Sequence, residues 1–279
     1  MPEGPEVKLI SDHLQQFVGK AISGTELNPL TRYKGARANQ AGTATIKNGD
    51  VISKIECKGK QIFWEIGGKF YQNRMGMTGY WSRIKGKAPA ANVLGLEIEG
   101  GGWIYFNDER HFGDFIPMSV LDKKKKIASL GFDLLNDRDY VSLDQFLDRW
   151  EKLNGTWQLA EVLMDQEAIV CGVGNYLKCE VCYNIGIDPR TTVYQFSKSP
   201  ELIKELFENI KETMEYSYRA NGNSFKNFET LGGEKGEFKN YLKVYRQSKD
   251  PNGNKVTKHV TRDKRTSWIS EAAQTWIKP

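Results

Sequence analysis

Between Ile22 and Pro117 the chain is cut into short β-branched and aromatic runs separated by Gly, Asn-Gly and Gly-Gly turns, and the long stretch that follows loses this texture. Val51–Glu56, Gln61–Ile66, Lys69–Gln72 and Trp103–Phe106 are clear examples, each bounded by residues that break a strand. Many short strands at close spacing fold as a sandwich or barrel. In front of them, Val7, Ile10, Leu14, Phe17 and Val18 fall at helical spacing, with Glu3 and Pro5 in the first turn, so residues 3–18 are expected as an amphipathic helix. Beyond Lys123–Lys126, a run that reads as a solvated linker, the pattern turns helical. A Ser-x-x-Gln capping box opens Ser142–Leu153, residues 157–164 continue helical, and Ser199-Pro200 starts a long amphipathic helix running to about Ala220. From about Phe238 a strand-like pattern returns around Pro251-Asn252-Gly253. The expected class is therefore α+β, with a mostly β part at 1–130 and a mostly helical part with a β tail at 131–279.

Hydrophobic residues make up 39% and aromatic residues 11%, ample for packed cores, so a disordered chain is excluded. No run of 18 apolar residues exists, and the first twenty residues lack the apolar block of a signal peptide. The expectation is a soluble intracellular protein with no membrane partner, nucleus and cytoplasm being equally compatible. Four cysteines are too few for a disulfide scaffold and fit a reducing compartment. The net charge of +5 is unevenly placed: from Arg219 onward 13 Lys+Arg stand against 6 Asp+Glu, while the other 218 residues carry 27 against 29. Phe225, Phe228, Phe238, Tyr241, Tyr245 and Trp268 are interleaved with that positive excess. Such a tail suits a polyanion partner, and a solvated basic face accounts for it equally well.

The chain opens Met1-Pro2-Glu3-Gly4-Pro5-Glu6. With Met1 removed, Pro2 becomes a secondary α-amine. An α-amine titrates near about 7.7–8.0 and a lysine near about 10.4, so at neutral pH the former is the far better populated nucleophile. Its attack on an aldehyde-like carbon gives an iminium that is cationic without further protonation, and Glu3 beside it can move protons. A proline after an initiator methionine is otherwise ordinary. Lys60, in Lys58-Gly59-Lys60-Gln61, sits on a hairpin turn, the usual place for a surface lysine. Met75-Gly76-Met77-Thr78-Gly79 and Asp108-Glu109-Arg110-His111-Phe112-Gly113 are loop-like and place large side chains among glycines. Side chains at such tips can fill the hole left by a displaced nucleotide, or simply pack. Gly172-Val173-Gly174-Asn175 follows a helical segment and opens another, which gives a helix, two turns and a helix in place of a dinucleotide fold. Arg265, in Asp263-Lys264-Arg265-Thr266, lies at the tip of a terminal hairpin where a guanidinium can fork onto phosphate.

Taken in order, these segments resemble the formamidopyrimidine-DNA glycosylase/endonuclease VIII family. The Pro-Glu-Gly-Pro-Glu opening is similar to its endonuclease VIII branch, Met75–Gly79 to its Gly-Met-Ser/Thr-Gly loop, Arg110–Gly113 to Arg-Arg-Phe-Gly, and Gly172–Asn175 to Gly-Ile-Gly-Asn. The resemblance implies an N-terminal β-sandwich with a flanking helix and a C-terminal helix-two-turn-helix domain ending in an antiparallel hairpin at about 240–272. It implies a monomeric enzyme acting on damaged DNA, duplex or single-stranded, without a cofactor. Pro2 would be the Schiff-base nucleophile at C1′, Glu3 the proton donor and acceptor, and Lys60 a phosphate ligand assisting catalysis. Asn175 and Arg265 would grip phosphates, Met77, Arg110 and Phe112 would fill the void, and Glu6 would support the opening motif. The implied chemistry is base excision followed by β,δ-elimination on oxidised pyrimidines and formamidopyrimidines.

Most of the family carries a four-cysteine zinc finger in the terminal hairpin. From Phe238 to the end this chain has no cysteine and only His259, too few ligands for a tetrahedral site, so a "zincless finger" without metal is expected. Tyr245, Val256, Val260 and Trp268 are expected to pack in the metal's place, and Cys171, Cys179 and Cys182 to lie on helix faces. Ser224–Phe228 and Lys235–Phe238 are similar in length to the lesion-capping loop of the formamidopyrimidine branch. Two other classes fit parts of the pattern: a non-catalytic damaged-DNA-binding protein of the same fold, and a small-molecule enzyme using an N-terminal proline on a carbonyl substrate.

Overall fold

A computed structural model describes residues 2–28, 43–86, 91–223 and 236–278. The chain divides into two compact units, Met1–Ser129 with Asn221–Glu237, and Leu130–Ala220 with Phe238–Pro279.

The first unit begins with α1 (Gly4–Leu14), where Glu3 is the N-cap and Pro5 occupies the first turn, a place where its missing N–H costs nothing. A 3-10 turn at Gln15–Phe17 ends the helix, which leaves Val18 in extended backbone and 37% exposed. Eight strands follow among the described residues: β1 (Ile22–Leu27), β2 (Ile52–Lys58), β3 (Gln61–Ile66), β4 (Lys69–Arg74), β5 (Gly79–Ser82), β6 (Asn92–Ile98), β7 (Gly102–Asp108) and β8 (Asp114–Met118). They form two antiparallel four-stranded sheets, ordered β1-β6-β7-β5 and β2-β3-β4-β8. The β3–β4 turn is Gly67-Gly68, with φ of +56° and +73°, the pair of left-handed residues that a two-residue hairpin needs to match strand twist.

Aromatic rings fill the space between the sheets. Trp64 of β3 lies 5.2 Å from Trp81 of β5, and Phe115 of β8 meets both. The Trp81 indole donates to Asn73 Oδ1 at 2.8 Å, so the polar edge of this large ring is satisfied inside the core. α1 packs on β2 and β3, where Gln15 Nε2 donates to the Ile55 carbonyl at 2.8 Å. Cover on both faces explains why five of the six β3 residues are buried.

The lysine run is not a linker. It lies in α2 (Val120–Ser129), where Lys123 is held 4.8 Å over the Phe70 ring and pairs with Glu56 at 2.5 Å. A lysine stem packs against apolar surface while its ammonium finds a carboxylate, which composition alone does not display. Burial disfavours the charged form of Glu56, but hydrogen bonds from Lys123 and Lys54 outweigh it and hold its pKa below the usual range.

The second unit contains α3 (Leu143–Trp150), α4 (Leu159–Met164), α5 (Asn175–Asn184), α6 (Val193–Phe196) and α7 (Pro200–Arg219), then the hairpin β9 (Val256–Val260) and β10 (Thr266–Ser270). Ser142 caps α3 through the expected reciprocal box with Gln145. Phe146, Trp150, Phe196 and Phe207 form one aromatic cluster, with Phe146 and Phe207 5.0 Å apart. α5 runs through the core, and every residue from Tyr176 to Cys182 is buried. Its Glu180 accepts the backbone N–H groups of Lys243, Val244 and Tyr245 at 2.7–3.0 Å, which fixes the chain leading to the hairpin. Burial raises the pKa of Glu180 against those three donors.

Pro251-Asn252-Gly253 makes a local turn on Asp250, while the hairpin itself closes later, at 261–265. Of the four residues expected to fill that region, Tyr245 and Val256 are buried, and Tyr245 meets Trp268 edge-on at 4.6 Å. Val260 does not join them: it is 78% exposed. Strand alternation puts it on the same face as Val256, but cover on that face ends with Val256 and leaves Lys258 and Val260 outside. Cys179 and Cys182 lie on α5 as expected, whereas Cys171 is buried in the turn before it.

Candidate functional site

The N-terminus of α1 brings two carboxylates together. Glu3 and Glu6 are 2% and 1% exposed, and the Glu3 N–H donates to Glu6 Oε2 at 2.7 Å as part of a reciprocal capping box. The other Glu6 oxygen accepts the Asn223 N–H at 2.7 Å. That contact depends on a left-handed turn after α7, with Asn221 at φ +56° and Gly222 at φ +75°. A Cβ on Gly222 would stand 2.9 Å from Glu6 Oε1, so only glycine allows this approach. Asn223 is itself 2% exposed, and its side-chain amide has no partner among the described residues, which leaves a buried donor and acceptor in the neighbourhood of Glu6. Pro2 is half-buried directly before Glu3. Lys60 is half-buried on the β2–β3 turn, which Gly59 closes at φ +57°, and β2 and β3 are the strands on which α1 packs.

The two glycine-containing loops are also in contact. A Cβ on Gly76 would lie 2.4 Å from the Gly113 nitrogen, so the backbones of Met75–Gly79 and Arg110–Gly113 touch. Asp108 staples them. Fully buried, its carboxylate accepts from the Thr78 hydroxyl, from the Arg110 N–H at 3.2 Å and from the Gly113 N–H at 2.6 Å. His111 takes φ +53°, and beyond it Phe112 turns outward, 57% exposed, with the Arg110 guanidinium 4.9 Å over its ring. Met77 is half-buried. Arg110 and Phe112 thus form an exposed cation–aromatic tip on a rigid base.

In the second unit, Gly174 caps α5 and Asn175 is its first residue. Asn175 Nδ2 donates to the Thr266 carbonyl at 2.9 Å, so this side chain ties the helix to the hairpin. Arg265 is exposed in the hairpin turn, next to Lys264 at φ +60°. Its guanidinium has no partner among the described residues. Exposed arginine beside exposed lysine, at a turn fastened to the start of a helix, is an arrangement that receives an anion such as a phosphate.

Among the described residues no group of three or more His, Cys, Asp and Glu is placed to hold a metal ion. No disulfide joins the four cysteines, and burial, with Cys179 adjacent, pushes the Cys182 thiol well up, the reverse of what a reactive thiolate requires. No helix among the described residues is long and apolar enough to cross a membrane. Most of the segment compared in length with a lesion-capping loop, including Phe225 and Phe228, lies outside the described residues. Sequence reading missed Asp108, Asn223 and the Gly222 approach to Glu6. Asn221-Gly222 at the end of a long helix was a readable stop signal, but its target, Glu6, is 217 residues from Asn223.

Residues 1–115 match the family described as the formamidopyrimidine-DNA glycosylase N-terminal domain. The formamidopyrimidine-DNA glycosylase of Bdellovibrio bacteriovorus is 27% identical over 277 residues, which cover 97% of this chain and 98% of that protein. The corresponding protein of Desulfitobacterium hafniense is 29% identical over 261 residues, 90% of each chain. Among solved structures, the MutM (Fpg) protein from Thermus thermophilus superposes with a TM-score of 0.80 at 20% identity, covering 99% of this chain and all of that one. Lactococcus lactis Fpg, in a complex with DNA containing an abasic site, superposes with the same score at 21% identity over 98% and 99% of the two chains. The α+β architecture read from the sequence is the fold of these proteins.

Proposed function

The chain belongs to the formamidopyrimidine-DNA glycosylase/endonuclease VIII family, and on that premise we propose that it is a bifunctional DNA glycosylase and abasic-site lyase of base excision repair. The observation that carries this reading is the buried pair of carboxylates at the start of α1, directly behind Pro2.

With Met1 removed, the Pro2 amine attacks C1′ of the damaged nucleotide and the glycosidic bond breaks. Glu3 hands a proton to the departing base or to the ring oxygen, and the ring opens to an iminium between the Pro2 nitrogen and C1′. Loss of a C2′ proton expels the 3′-phosphate, and a second elimination expels the 5′-phosphate, leaving a one-nucleotide gap. In this assignment Glu6 holds Glu3 and Asn223 in register, Lys60 contacts the backbone phosphate, and Asn175 and Arg265 hold phosphates. Arg110, Phe112 and Met77 occupy the space that the everted nucleotide leaves.

Oxidised pyrimidines, formamidopyrimidines and 8-oxoguanine all carry adjacent N–H and C=O groups, which the buried Asn223 amide complements. Duplexes carrying an abasic site, thymine glycol, dihydrouracil, formamidopyrimidine or 8-oxoguanine test this directly. The expected result is strand cleavage at the abasic site and at the base lesions that leaves phosphate at both ends of the gap, and the rates rank the lesions. Normal binding to damaged duplex without any cleavage would instead establish a non-catalytic damage-binding protein.

A further inference from the structure

Lys178 is an anomaly in the middle of α5. Its side chain is 0% exposed, on a helix buried from Tyr176 to Cys182, and an ammonium in such a place is tolerated only when paired. Its partner is Asp263 in the hairpin turn, at 2.6 Å and 3% exposed. The other Asp263 oxygen accepts the Thr261 hydroxyl at 2.5 Å and the Arg265 N–H at 3.2 Å. Thr261 in turn donates its N–H to the Arg265 carbonyl at 3.1 Å and shares a hydrogen bond with Ser267 at 2.9 Å. Asn175, three residues before Lys178 and so on the same helix face, holds Thr266 on the far side of Arg265. Arg262 is fastened elsewhere, to the Thr156 carbonyl at 2.9 Å. One helix therefore grips the turn on both sides of Arg265, and Lys264 and Arg265 are left facing outward.

We propose that Lys178 is a positioning residue for phosphate binding by Arg265. This rests on the DNA-binding reading above. The buried pair does two things. It fixes the 261–265 backbone through Asp263, and it cancels the only negative charge in the turn. Without it, a carboxylate two residues from Arg265 would draw the guanidinium inward and repel an approaching phosphate.

The test uses full-length Lys178→Met, Lys178→Met/Asp263→Asn and Arg265→Ala, with affinity for a tetrahydrofuran-containing duplex measured between low and moderate salt and thermal unfolding followed in parallel. Arg265→Ala is expected to lower affinity about tenfold or more and to reduce the salt slope by about one. Lys178→Met leaves Asp263 buried and unpaired, so it should lose both stability and affinity. The double variant removes the stranded charge. Its unfolding midpoint should return toward that of the parent, while its affinity and salt slope stay at the Arg265→Ala level. Adding Arg265→Ala to it should cost little more. A double variant that binds with the parent's affinity and slope, beside an Arg265→Ala protein that does not, would overturn the positioning role alone. An unchanged slope in Arg265→Ala would overturn the phosphate assignment itself and the inference with it.

Discussion

Replacing Glu3 with Gln is expected to slow base excision by about 10²–10⁴-fold while leaving the protein folded. The amide keeps the volume and the acceptor oxygen of a side chain that is 2% exposed and caps α1, and the Glu3 backbone N–H still reaches Glu6. What it loses is a transferable proton. Excision needs that proton at the base or ring oxygen, whereas a preformed abasic site already presents an aldehyde to Pro2. The lyase step should therefore fall less than the glycosylase step. Single-turnover rates on a lesion duplex and on an abasic duplex separate the two, and equal losses on both substrates would remove Glu3 from its assigned role.

Asp108→Ala is expected to cost about 3 kcal/mol of stability and to disable the void-filling tip. The substitution takes from the Gly113 N–H and the Thr78 hydroxyl the fully buried carboxylate that accepts from both, and leaves the Arg110 N–H only its 3.1 Å bond to the Thr78 hydroxyl oxygen. Because the same carboxylate joins the loops that carry Met77 and Arg110–Phe112, the loss should fall on local order as well as on global stability. Denaturant unfolding checks the first, and the ratio of affinities for lesion and undamaged duplex checks the second. A loss below about 1 kcal/mol would show that the loops hold each other without the staple.

The features that were legible in the sequence are those encoded within a few residues. Short β-branched and aromatic runs with a Gly-Gly turn between them marked β3 and β4, and Ser142 with Gln145 marked the start of α3. The features that were not legible join distant parts of the chain. Asn223 meets Glu6 across 217 residues and Lys178 meets Asp263 across 85, and neither pair has a local spacing that announces it. Side-chain amphipathicity explains the lysine run: charge counts suggested a linker, while the stem of Lys123 packs on Phe70 within a helix. Val260 shows the limit of periodicity. Alternation assigns a residue to a face of β9 but does not say where the cover on that face ends. For the candidate site, the residue types of the opening motif were readable, but the burial of Glu3 and Glu6 and the turn that closes on Glu6 came only from the fold.

The proposed nucleophile is the amine of Pro2. Borohydride reduction of the complex between the Met1-processed protein and an abasic duplex, followed by peptide mapping of the product, tests it most directly. One covalent adduct is expected, located on residue 2 and lost when an N-terminal extension blocks the Pro2 amine. An adduct on Lys60 or another lysine, or no adduct under conditions where abasic DNA is bound, would contradict it.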